Sequence, residues 1–96
     1  MYSIIVEPEA SVNIDEIEAW YEDRREGLGD KFLDELEHIK TLLTKHPKIA
    51  QAINTNTRQR PISQTFPYNI IYQIDETQNI IRILAIRHQK RMTIYE

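Results

Sequence analysis

The chain has 96 residues, 41% of them hydrophobic, with no cysteine and a formal net charge of −3. That is enough for one modest core, and the absence of thiols excludes disulfides, thiolate metal sites and cysteine nucleophiles. No apolar run approaches the length of a bilayer span and the amino end carries no signal peptide, so one cytoplasmic domain over residues 1–96 is expected, without membrane contact.

The charge is unevenly spread. Residues 1–37 hold twelve acidic and three basic side chains, a net of −9, whereas residues 38–96 hold three acidic and nine basic, a net of +6. A basic half can attract phosphate even in an acidic protein, because fields are screened within roughly 10 Å. The plainer alternative is that acidic helices and basic strands solvate opposite surfaces.

Tyr2 to Val6 is short, β-branched and ends before Pro8, which reads as a strand. Pro8 suits the first turn of a helix, where its missing N–H costs nothing, and Glu7 and Glu9 suit the positive end of the dipole. Ala10, Ile14, Ile17 and Tyr21 then recur at helical spacing, with Trp20 alongside; both aromatics are assigned to core packing rather than to a ligand platform. Gly27-Leu28-Gly29 follows. It lacks the further glycine of a dinucleotide fingerprint and the Lys-Ser/Thr of a phosphate loop, so it is read as a turn between helices. A second helix carries Phe32, Leu36, Ile39 and Leu43, flanked by Leu33 and Leu42, and stops at His46-Pro47. Two amphipathic helices joined so tightly form an antiparallel hairpin that must lie on a sheet.

Lys48 to Asn56 reads as loop with at most a short extended piece. Arg58 to Thr65 reads as a strand that Pro61 confines to an edge or a bulge. Tyr68–Ile74 and Ile80–Ile86 are rich in β-branched and aromatic residues around a polar turn, which predicts a hairpin. The predicted fold class is therefore α+β: an N-terminal strand, a helix hairpin, then a three-stranded antiparallel meander with the helices on one face. The position of the first strand in the sheet stays open.

Few residues could carry chemistry. His38, His46 and His88 have no metal-ligand spacing, so neither a metal nor another cofactor is expected, and no serine sits in a nucleophile elbow. The carboxylates around Glu16, Glu18, Glu22, Asp23 and Glu26 read as a solvated helix face. What remains is cationic: Arg58, Arg60, Arg82, Arg87, His88, Lys90 and Arg91, with Tyr95 beyond. Guanidinium forks converging on one side of the sheet would suit phosphates, and a nearby His or Tyr could move protons in phosphodiester cleavage. The bland alternative is a solvated basic edge whose arginine stems pack on isoleucines.

The segments Trp20–Ile39, Phe66–Ile74 and Ile80–Arg91 together resemble the RelE/ParE toxin superfamily of bacterial toxin–antitoxin modules, in its plasmid-stabilisation branch. The resemblance spans nearly the whole chain. It implies an α+β toxin neutralised by a cognate antitoxin that wraps around it. RelE-like members resemble ribosome-dependent endoribonucleases acting on mRNA, whereas ParE-like members poison DNA gyrase and cleave nothing. Arg91 and Tyr95 stand where the ribonuclease pattern places an arginine and a basic tyrosine, and Arg58, Arg60 and His88 complete the candidate catalytic set. Asn69 stands where that pattern has an arginine, and Met92 where the branch commonly has a proline. A decayed toxin that keeps only antitoxin binding is the third alternative. The sequence does not fix an oligomeric state.

Overall fold

In the computed structural model, which describes residues 1–90, the chain runs through β1 (Ser3–Val6), α1 (Pro8–Arg24), α2 (Leu28–Lys45), β2 (Gln51–Ala52), β3 (Thr57–Pro61), β4 (Tyr68–Asp75) and β5 (Ile80–His88). The sheet order is β1-β5-β4-β3-β2, with β1 parallel to β5 and every other pairing antiparallel. The expected α+β class and the β3–β4–β5 meander are present. The first strand takes the edge beside β5, and a two-residue β2 extends the opposite edge. Pro61 ends β3, so the strand stops four residues short of Thr65.

Each element follows from its residues. The α2 stripe of Phe32, Leu36, Ile39 and Leu43 is wholly buried, as helical spacing requires. On α1, Ala10 and Ile17 are buried, with Ile14 and Tyr21 packed against the same core. Tyr21, Phe32, Phe66 and Tyr68 form an aromatic cluster between helices and sheet, with ring centroids 4.8–6.4 Å apart. Trp20 departs from its assignment to the core: it is 49% exposed. Its neighbour Tyr21 fills the helix–sheet interface, and Trp20, one position back, is rotated to the flank.

The turn between the helices depends on its glycines. Gly27 adopts φ 87°, which side chains rarely tolerate, and a Cβ on Gly29 would stand 2.8 Å from the Glu18 carbonyl oxygen. The helices can therefore approach closely here. The backbone N–H groups of Gly27 and Gly29 both donate to the Glu22 carboxylate at 2.9 Å, so α1 caps the positive end of α2. In the β4–β5 turn, Asn79 takes a positive φ of 56° and Asp75 accepts the Gln78 N–H at 3.1 Å.

One irregularity decides where the side chains of β5 point. Ile71 pairs with Ala85 but Tyr72 pairs with Ile83, leaving Leu84 as an extra residue. Ile81, Ile83 and Ile86 all reach the helix-side core as a result. Strict alternation would have turned Ile86 away and driven Arg87 inward.

Candidate functional site

Residues directly opposite in a register share a face of the sheet, so pairing places each cation. Arg58 is opposite Tyr72 and Arg60 opposite Ile70, on the helix side. Arg82 is opposite Gln73, and Arg87 opposite the buried Asn69, on the other side. β3 and β5 are moreover separated by β4, roughly 10 Å between their backbones. The expected gathering of these arginines on one side is therefore not found. By register Arg82 departs from the helix-side face, and after the Leu84 bulge Arg87 does too, its guanidinium meeting Glu9 and Asn13 of α1.

Arg58, Arg82 and Arg87 are also engaged locally. An Arg58 terminal nitrogen donates to the Ala50 carbonyl at 2.9 Å and, more loosely, to the Lys48 carbonyl. That tethers the loop before β2, which Tyr72 also holds by donating its hydroxyl to the Pro47 carbonyl at 2.6 Å. Arg82 lies 3.4 Å from the Glu7 carboxylate. Arg87 pairs with Glu9 and donates to Asn13 Oδ1 at 3.1 Å. The same Asn13 oxygen accepts the Ile86 N–H at 3.0 Å, so an α1 side chain closes the part of the β5 edge beyond β1. Sequence reasoning overlooked Asn13. Its signal was a poor helix former in the middle of a helix, where a side chain that bonds elsewhere is the usual reason.

Two hollows flank the core. The larger, about 420 Å³, lies between α2 (His38, Ile39, Leu42) and the stretch from Arg60 to Gln64. There the Arg60 Nε is buried without a hydrogen-bond partner among the described residues. The smaller, about 180 Å³, lies between α1 (Asn13, Glu16, Ile17) and Tyr68, Ile86, Arg87 and His88. His88 meets the Tyr68 ring edge to face at 5.1 Å, and its Nδ1 accepts the Lys90 N–H at 3.1 Å. Arg60 and His88 open into different hollows, one against each helix. Arg91 and Tyr95 lie outside the described residues.

Tyr72 is not poised to act as a base. Burial raises the pKa of Tyr72 above its usual 10.0, and this outweighs the opposing pull of Arg58, the Ala50 backbone and Arg60. Asn69, where the ribonuclease pattern has a cation, is a buried amide whose Oδ1 accepts from Gln89 at 3.4 Å.

The family model for the ParE toxin of the type II toxin–antitoxin system, parDE, matches residues 4–93. The chain belongs to the ParE toxin family. This ParE-family toxin has the fold of the isolated Escherichia coli RelE toxin, with a TM-score of 0.71 at 12% identity over 99% of this chain and 92% of that one. It is also similar to a chain of the chromosomal ParDE system of Pseudomonas aeruginosa, with a TM-score of 0.63 at 17% identity over 92% and 96% of the two chains. A chain of the Mycobacterium tuberculosis RelBE toxin–antitoxin complex gives 0.68 at 15% identity over 91% and 96%. No curated protein matches the chain by sequence. At these identities the solved structures bear on the fold, and the family model carries the assignment as a RelE/ParE-superfamily toxin. No helix of the toxin's described residues is long and apolar enough to cross a membrane.

Proposed function

We propose that this toxin arrests growth by binding DNA gyrase, rather than by cutting messenger RNA at the ribosome. The observation that carries the reading is the division of the four described arginines of its sheet. Stabilising a cleaving phosphodiester needs several cations and a base around one phosphate. Here Arg58 and Arg60 lie on one face, Arg82 and Arg87 on the other, and Asn69 supplies an amide in place of a cation. Tyr72, the buried tyrosine near Arg58, is kept protonated. A protein-binding toxin needs none of that convergence. The match to the ParE family model points the same way.

Solved complexes of RelE with RelB and of a ParDE system support a cognate antitoxin for this chain too. It would lay an amphipathic segment on exposed apolar surface, with acidic side chains near the cations of the second half. Such a module acts in the cytoplasm.

Two assays run side by side test the reading. The purified toxin is expected to block supercoiling by gyrase at concentrations that leave no new message ends on programmed ribosomes. New ends with unaffected supercoiling would move the activity to RNA, with His88, Arg91 and Tyr95 as the residues to substitute first. Induction without growth arrest would mean that only the fold and antitoxin binding survive.

A further inference from the structure

The two helices treat their outer faces differently. On α2 the large apolar residues are buried or half-buried, and Glu37 has Lys40 as an ion-pair partner. On α1 the apolar residues are not confined to the core, since Val12 is 54% and Trp20 49% exposed. Ala19 is exposed beside them. Around this strip stand Asp15, Glu16 and Asp23, none of which has an ion-pair partner among the described residues. Trp20 is held in place without being covered. The Arg24 guanidinium lies 3.3 Å from the centroid of its ring and donates to the Trp20 carbonyl, while Tyr21 meets it edge to face at 5.0 Å.

An exposed indole and a stacked arginine, fixed on a rigid helix and ringed by unbalanced carboxylates, have the makeup of an interface hot spot. We infer that the outer face of α1, centred on Trp20 and Arg24, is the surface through which this toxin docks its protein target, a basic surface with an apolar slot for the indole. The inference rests on the gyrase reading above and names the toxin's side of that contact. Charge selects the occupant. Unpaired acidic groups repel phosphates and acidic segments, which argues against RNA and against an antitoxin whose carboxylates seek the cations of the second half.

Two variants test this: Trp20→Ala, which removes the anchor, and Glu16→Lys/Asp23→Lys, which reverses the surrounding charge on solvent-exposed positions. Each is compared with the unaltered toxin in gyrase supercoiling, in co-purification with its antitoxin and in thermal unfolding followed by circular dichroism. The expected result is that each raises the half-inhibitory concentration by about tenfold or more, with antitoxin capture and unfolding temperature unchanged. Full inhibition by both folded variants would overturn the docking face while leaving the gyrase reading intact. Loss of antitoxin capture with retained inhibition would assign the face to the antitoxin and overturn the inference. No inhibition by the unaltered toxin would overturn the gyrase reading and the inference with it.

Discussion

Tyr72 has the chemistry of a general base and the environment of a strut. Its ring is fully buried, its hydroxyl donates to the Pro47 carbonyl, and burial holds the neutral phenol against two nearby arginines. Because the folded pKa lies above the unfolded one, the stability this provides is whole below about pH 10 and is lost as pH rises through the higher folded value. Tyr21 is shifted in the same direction, by burial first and by Tyr68 second. Both are expected to ionise above the usual phenol range in an absorbance titration at alkaline pH. Tyr72→Phe should cost about 1–3 kcal/mol in urea unfolding at neutral pH, since the Pro47 carbonyl loses its donor. The variant should also lose less stability than the parent above pH 10. Ionisation of Tyr72 at the ordinary phenol pKa of about 10 would show that the ring is not sealed from water.

Among the elements, local periodicity was readable and relative phase was not. The α2 stripe, the glycine turn, the His46-Pro47 stop and the β4–β5 hairpin each announce themselves within a few residues, because each depends on spacing or on a special backbone. The bulge at Leu84 leaves no such trace, since leucine is an ordinary strand residue and its unpaired state is fixed only by the facing strand. Arg58, Arg60, Arg82 and Arg87 do not share one face for that reason: their faces depend on the β3–β4 register and on one extra residue in β5. Trp20 was misjudged similarly, since a large aromatic beside a helical stripe does not say on which side of the boundary it falls. Deleting Leu84 should restore strict alternation, turn Ile86 out of the core and drive Arg87 toward it. A buried, unmatched charge costs several kcal/mol, so the deletion should abolish the cooperative urea transition or shift it by at least about 3 kcal/mol. Leu84→Ala keeps the extra residue and should cost about 1 kcal/mol or less, Leu84 being only half-buried. Similar transitions for deletion and substitution would mean that the bulge does not set the phase.

At the scale of the whole molecule, the charge asymmetry survives folding but changes its meaning. Much of the cationic half is matched within the fold: Arg82 by Glu7, Arg87 by Glu9, Lys48 by Glu76 and Lys40 by Glu37. Lys48 and Glu76 reinforce each other's charged states, raising the one pKa and lowering the other. Such exposed pairs add little to stability, yet they cancel field at a distance. The carboxylates on the outside of α1 have no such matches among the described residues, so the field a partner meets there is negative. The molecule is 41 Å along its longest axis, several times the screening length of roughly 10 Å at 0.1 M salt, so its ends act on partners separately. Steering of this kind appears in the association rate more than in the lifetime of a complex. Raising salt from about 50 to about 300 mM should therefore slow the association of the toxin with its proposed target, gyrase, several-fold and change dissociation less, as measured by stopped-flow mixing. The Glu16→Lys/Asp23→Lys variant should flatten that dependence while the antitoxin complex keeps its own. An association rate indifferent to salt in the unaltered toxin would mean that the acidic helix takes no part in finding the target.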